Sequence, residues 1–168
     1  MHSHDPYKFC PKCASPLTLQ LQMSDERPTC PNCGWVHYED PKVAAGVLVL
    51  CGCEVLLVRR VMEPYIGQWS IPAGFVNACE DPQTAAAREC LEETGLTVQL
   101  DGLFEVLSGR EHPRGADILL IYRGSVQGGE LTAADDADQA GWFQLDALPP
   151  LAFETTRKAL IKARLEIQ

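Results

Sequence analysis

Hydrophobic and polar residues alternate along this chain in a way that changes period several times. Val43–Leu50 is a near-continuous apolar run, the mark of a strand covered on both faces. Cys51-Gly52-Cys53 turns the chain, and Glu54–Arg60 returns as the second arm of a hairpin. Tyr65–Val76 reads as loop, strand and loop. Thr97–Leu100 and Leu103–Leu107 read as two short strands, followed by a polar loop over Ser108–Ala116. Asp117–Val126 is a strand, Gly128–Asp138 an acidic loop, and Ala140–Gln144 a strand carrying Trp142 and Phe143. Leu148-Pro149-Pro150 breaks the chain before a C-terminal helix over Glu154–Ile167. Tyr122 and Phe143 are expected in the core. Strands, a central helix, more strands and a last helix predict an α+β sandwich with a mixed sheet.

The central helix is the sharpest local signal. Asp81-Pro82 supplies an N-cap and a first-turn proline, and Gly95 a C-terminal stop, around Gln83–Thr94. At 100° per residue, Glu89, Glu92 and Glu93 share one arc of ~100°. Thr84, Ala87 and Leu91 lie opposite and are expected to form the buried face. Carboxylates crowded on one face repel each other, and a hard divalent cation with oxygen ligands, Mg²⁺ or Mn²⁺, is the natural compensation. Such an ion would bridge diphosphate oxygens and acidify a bound water. Glu80, just ahead of the helix, is better placed to pair with Arg88 than to bind metal. Gly74 sits where the preceding strand must bend into the loop. Cys90, in mid-helix, is expected to be half-buried.

Before Val43 the pattern is different. Tyr7–Tyr38 holds short polar stretches, one strand over Leu17–Met23, and two Cys-x-x-Cys knuckles: Cys10-Pro11-Lys12-Cys13 and Cys30-Pro31-Asn32-Cys33. Two knuckles present four thiolates to one tetrahedral Zn²⁺. Four thiolates close the coordination shell, so this zinc is expected to be structural, a staple for a segment too short to hold its own core. Glu39-Asp40-Pro41-Lys42 is the linker, giving a zinc ribbon over residues 1–40 and a second domain over 41–168.

Composition narrows the field of functions. With 14 basic and 23 acidic residues the net charge is −9, which argues against nucleic acid as a partner. No apolar run approaches a membrane span. Met1–Asp5 is too short and polar for a signal peptide, and Cys51, Cys53, Cys79 and Cys90 lack ligand spacing, so free thiols in a reducing cytoplasm are expected.

The run Gly74, Glu80, Arg88-Glu89, Cys90, Glu92-Glu93, Gly95-Leu96 resembles the Nudix box in every fixed position. The family pattern usually has a bulkier apolar residue at the place of Cys90. The resemblance implies a Nudix fold over residues 41–168, with a mixed sheet between helices, and catalytic roles for Gly74, Glu80, Arg88, Glu89, Glu92 and Glu93. It implies Mg²⁺ or Mn²⁺ on Glu89, Glu92, Glu93 and the main-chain carbonyl of Ala73. The ribbon narrows the resemblance to bacterial NADH pyrophosphatases and plant-type FAD/ADP-ribose pyrophosphatases. The second group is the closer match, since nothing after Gly95 resembles the Ser-Gln-Pro-Trp-Pro-Phe-Pro element of the NADH enzymes.

The expected reaction is hydrolysis of the pyrophosphate bond in a nucleoside diphosphate linked to another group, with ADP-ribose or FAD as substrate and a homodimer as the assembly. Two other readings remain: a sanitising enzyme for nucleoside triphosphates, and a non-catalytic sensor or nucleic-acid-binding module. Many relatives place a basic glutamate shortly before the Trp-Phe strand, where this chain has Gln139. Asp136 and Asp138 are the candidate bases, with Asp135 behind them and Glu92 or Glu93 as alternatives. Arg59, Arg110 and Arg114 are candidate substrate contacts, as are Arg60 and Arg123. His112 reads as incidental, and Trp69 and Phe75 as packing residues beside the box.

Overall fold

In a computed structural model, which describes residues 7–167, the chain divides after Asp40 into two compact units. The first contains an antiparallel hairpin of β1 (Thr18–Gln22) and β2 (Asp25–Thr29). Strand β1 lies within the expected Leu17–Met23. Its flanking knuckles repeat one device: Ala14 N–H donates to Cys10 O and Gly34 N–H to Cys30 O, and both turning residues are left-handed, with φ of 56° and 73°.

The second unit is built on a seven-stranded mixed sheet. Its strands are β3 (Val43–Cys51), β4 (Glu54–Arg60), β5 (Trp69–Ser70), β6 (Ala73–Phe75), β7 (Leu96–Ser108), β8 (Ile118–Gly129) and β9 (Ala137–Gln144). The main path runs β5-β4-β3-β8-β7, with β6 paired to β3 and β9 to β4. Strands β3 and β8 are parallel; the other pairings are antiparallel. Helices α1 (Pro82–Thr94) and α2 (Glu154–Ile167) complete the unit.

The unbroken apolar run of β3 is explained by its two faces. Ala44 and Leu48 pack with Leu57, Ile121 and the α2 residues Ala159, Leu160 and Ala163. Ala45, Val47 and Val49 pack with Leu56, Tyr122 and the α1 residues Ala85, Ala86 and Cys90. The sheet is therefore sandwiched between α1 and α2, as a strand buried on both sides requires. Tyr122 is buried, and Phe143 packs at the margin of the α2-side core.

Three expectations are corrected. The two short strands after Gly95 are one strand, β7, whose register with β8 slips at Thr97/Val98, Leu100/Gly102 and Leu103/Glu105. Bulges bend a strand without ending it, so the local pattern reads as interrupted. Strand β8 runs on to Gly129, past the expected end at Val126, because β7 keeps pairing with it. The buried face of α1 is Ala85, Ala86, Cys90, Glu93 and Thr94; Thr84 and Leu91 are exposed and Ala87 is half-buried. The helix turns small residues onto the sheet, and one of its glutamates goes in with them. Among the described residues no helix is long and apolar enough to cross a membrane.

Candidate active site and thiol cluster

Helix α1 is fixed at both ends by its own sequence. Asp81 Oδ1 accepts from Gln83 N–H at 2.9 Å, and Gly95, at φ 71°, donates its N–H to Leu91 O. This sets the rotation that presents Arg88, Glu89, Glu92 and Glu93.

Glu89 is received by Gly74. A Cβ on Gly74 would lie 2.1–2.3 Å from the Glu89 carboxylate, so no other residue fits without displacing it. The expected reason for this glycine, a sharp bend, is not the operative one. Gly74 lies within β6, paired with Ala45, and its value is the missing side chain.

Glu93 is 3% exposed, and its Oε2 accepts from Ala73 N–H at 3.0 Å. The Asp136 side chain and the charge of Glu89 lie near enough to act on its ionisation. Burial first, then Asp136, push its pKa well above the carboxylate range. Burial raises Glu89 as well, against the pull of Arg88. One guanidinium, that of Arg88, is shared among Glu80, Glu89 and Glu92, so carboxylates outnumber positive charge here, and their oxygen chemistry fits a divalent cation.

Arg88 organises the rim. Its Nε donates to Glu80 Oε1 at 2.8 Å and its Nη2 to Glu80 Oε2 at 3.0 Å, a forked pair. Nη1 reaches Glu89 Oε1 at 2.7 Å and Glu92 Oε2 at 2.8 Å, and Nη2 reaches Phe75 O. Glu80 also accepts from the backbone and side chain of Asn77, which closes the loop after β6. With Arg88 as the main cause, the Glu80 pKa falls to about 2. Glu92, 43% exposed, is the most open of the three helix glutamates.

Of the aspartates, the fold brings Asp136 to Glu93. Asp138 is engaged elsewhere, in a fork from Arg59 at 2.8 and 2.7 Å that lowers its pKa. Asp135 is exposed at a left-handed φ of 57°, and Gln139 is exposed opposite Arg59 on β4. The adjacency of Asp136 and Glu93 depends on a contact across 43 positions of sequence and carries no local signal.

The contacts of the candidate substrate arginines are with groups other than the α1 glutamates. Arg59 is paired with Asp138. Arg110 faces Asp117 at 3.5 Å, and Arg114 lies in the same loop, its N–H donating to His112 Nδ1. Arg60 is turned to Pro64 O and the Phe153 ring. Arg123 is over Phe104 and bonded to Glu166. Trp69 packs edge-on against Phe143 at 4.6 Å, whereas Phe75 is 48% exposed and lines a recess with Pro41, Lys42, Val43 and Val76.

The remaining free thiols divide by burial. Cys51, Cys53 and Cys79 are exposed. Cys90 is fully buried, a correction to the half-buried expectation, and burial pushes its pKa up to about 11. A small residue suits this position, where α1 meets Ala45, Val47 and Leu96.

In the ribbon, the Sγ atoms of Cys10, Cys13, Cys30 and Cys33 lie within 4.8 Å of one another, with Cys10–Cys33 at 3.6 Å and Cys13–Cys30 at 3.5 Å. Tetrahedral zinc with bonds of about 2.3 Å needs sulfur atoms roughly 3.8 Å apart, so the cluster fits that ion. Backbone N–H groups of Lys12 and Cys33 point at Cys10 Sγ and Cys30 Sγ, which steadies thiolate charge. Among the described residues, this is the group of metal-ligand side chains that converges so closely.

Comparison with known proteins agrees with both regions. The family model described as "NUDIX domain" matches residues 40–164, and the "Nudix N-terminal" zinc-ribbon model matches residues 8–39. An ADP-ribose pyrophosphatase of Methanocaldococcus jannaschii is 39% identical over 118 residues, 70% of each chain. An NAD-capped RNA hydrolase of Chromobacterium violaceum is 33% identical over 153 residues, which cover 89% of this chain and 54% of the relative. This chain thus spans about half the length of that relative. The crystal structure of a NUDIX hydrolase from Nitrosomonas europaea superimposes with a TM-score of 0.84 at 29% identity, covering 95% of this chain and 92% of the other. Glycine, arginine and glutamates in the spacing of the box, on a sheet between two helices and behind a four-cysteine ribbon, place the chain in the Nudix hydrolase family.

Proposed function

We propose that this protein hydrolyses the pyrophosphate bond of a nucleoside diphosphate linked to a second group, with ADP-ribose and FAD as the preferred substrate class. The observation that carries the reading is the seating of the glutamates on Ala73-Gly74 with Asp136 brought to Glu93. The relative named ADP-ribose pyrophosphatase supports the same class.

Glu89, Glu92, Glu93 and the carbonyl of Ala73 would hold Mg²⁺ or Mn²⁺. When bound, the metal supplies Lewis-acid stabilisation of phosphate oxygens and a more acidic water. The chain's own residues do the rest. Arg88 bridges Glu89 and Glu92 through one Nη1, which offsets the repulsion between the two carboxylates and fixes their separation. The Ala73 N–H holds Glu93 in a single orientation. The Asp136 carboxylate takes the proton of the attacking water; Gln139 has no basic atom for that step, and Asp138 is held by Arg59. Water attacks one phosphorus and the other phosphate leaves, giving a nucleoside monophosphate and a phosphorylated second product. In the ribbon, four thiolates would hold a closed, structural zinc.

The test is a panel of ADP-ribose, FAD, NADH, CoA, GDP-mannose and 8-oxo-dGTP, each with Mg²⁺ and with Mn²⁺, followed by chromatography of products. ADP-ribose and FAD should both yield AMP. Turnover confined to 8-oxo-dGTP would replace this reading with nucleotide sanitation. Binding of ADP-ribose without cleavage of any compound would make the protein a sensor.

A further inference from the structure

Four fastenings converge on the short segment that carries Asp136, and the proposed function uses only one of them, the Arg59 fork, and only to set Asp138 aside. Ala134 N–H donates to Glu93 O at 3.3 Å, at the end of α1. Ala137 N–H donates to Ala134 O at 3.1 Å, closing a turn in which Asp135 is left-handed at φ 57°. Val61 N–H donates to Asp136 O at 3.0 Å. Beyond the turn, the β4–β9 register slips: Arg59 faces Gln139, but Arg60 faces Ala137. One step on β4 thus corresponds to two on β9, and Asp138 is the extra residue of a β-bulge. A bulge leaves its extra residue without a ladder partner and re-aims the side chains beside it. Here that residue is gripped by both nitrogens of the Arg59 fork, Nε at 2.8 Å and Nη2 at 2.7 Å.

We propose that Arg59 is a positioning residue: its fork on Asp138 holds the bulge of β9, and with it the adjoining segment that carries Asp136 beside the Glu93 end of α1. The inference rests on the reading of Asp136 as the proton acceptor. It changes the role of Arg59 from the sequence-based expectation of a phosphate contact. A forked guanidinium fixes both oxygens of a carboxylate, and therefore the plane of the Asp138 side chain, which a lysine cannot do. Arg59 and Asp138 are both partly open to solvent, at 32% and 46% exposure, so the pair adds little to global stability. Its effect is local, on the backbone two residues from Asp136. Displacement of a reacting group by about 1 Å is enough to cost up to ~10²-fold in rate.

The experiment is a double-mutant cycle with Arg59→Met, Asp136→Asn and the double variant, read as kcat and KM for ADP-ribose. Backbone amide exchange at Val61 is measured in parallel on each protein. Asp138→Asn, which keeps the shape of the side chain, serves as a second way of breaking the fork, and Arg59→Lys as a partial one. Latching predicts that Arg59→Met and Asp138→Asn each lower kcat about tenfold with KM unchanged, with Arg59→Lys in between. It predicts no further loss when Arg59→Met is added to Asp136→Asn, because the two act as a unit. Val61 should exchange faster in Arg59→Met and Asp138→Asn, while the amide of Leu56 in central β4 stays protected. A raised KM that persists in the Asp136→Asn background would make Arg59 a substrate contact and overturn the proposal. Unchanged kcat with unchanged Val61 exchange would overturn it too. If Asp136→Asn alone keeps near-normal kcat, the reading of Asp136 has failed. The latch is then decided by Val61 alone: faster exchange upholds it and unchanged exchange ends it.

Discussion

In the ribbon, four thiol groups come within 4.8 Å of each other; on α1, three glutamates are each held by the chain, two by Arg88 and one by the Ala73 N–H. Both groups are suited to a cation, but the order of cause is reversed. The ribbon has two short strands and its exposed apolar residues include Leu19, Leu21 and Met23, so it has little core to hold it without metal. The glutamate cluster is laid on a finished fold. Its carboxylates are placed by a helix cap, a glycine and hydrogen bonds to the chain. A metal that makes a fold should be tight and closed, and one that serves a reaction should exchange.

The largest expected effect separates the two sites on that basis. Mild EDTA treatment should abolish turnover, with Mg²⁺ alone restoring it. Zinc, measured near one ion per chain, should stay bound. Cys10→Ser or Cys33→Ser should release the zinc and melt residues 7–38, since zinc binding of order 10 kcal/mol stands in for a core. Zinc content and the amide spectrum of the ribbon report this. Activity that returned only with Zn²⁺ would reverse the assignment of the two sites.

The next effect lies within the glutamates. Glu92→Gln and Glu93→Gln should each lower kcat by ~10²-fold or more, since a neutral amide is a poor ligand for a hard cation. They should differ in stability. The Glu93 pKa is raised in the folded protein, so ionisation there opposes folding: stability falls as pH rises from the ordinary carboxylate range through the raised value. In EDTA at pH 7, Glu93→Gln should therefore have a higher Tm than the wild type, and Glu92→Gln nearly the same Tm. An equal or lower Tm for Glu93→Gln would mean that Glu93 is not under this strain.

The smallest effect concerns Glu80, whose shift has the opposite sign. Its pKa is lowered to about 2, so its contribution is complete above about pH 4.5 and is lost as pH falls through about 2. Glu80→Gln should lower the Tm by a few degrees at pH 7, and the gap to wild type should close between pH 4.5 and pH 2. Metal affinity should change less than stability. A gap that does not vary with pH would show that the charge of Glu80 is not what Arg88 needs.

Local chemistry was enough to read several parts of this molecule. The caps Asp81 and Gly95 satisfy orphan backbone groups within a few residues of themselves, so α1 ends within one residue of where its sequence says. Strands β3 and β4 follow from apolar runs around a glycine turn, and the knuckles from a fixed Cys-x-x-Cys spacing. The bulged β7 was not legible. Register slips depend on which residues of β8 lie opposite, and a single strand carries no record of its partner.

The sequence by itself determined the helix, its carboxylate arc, the thiol quartet and membership of the Nudix family, because each depends on spacing along one element. The tertiary structure decided which neighbours those residues meet. It buried Glu93 rather than Leu91 and made Gly74 the floor beneath Glu89. It filled the α1 contact with Cys90, brought Asp136 near Glu93, and gave Asp138 to Arg59. Each of those outcomes joins segments whose separation along the chain is bridged only by packing. Helix rotation, strand register and the bulge of β9 set the distances between them.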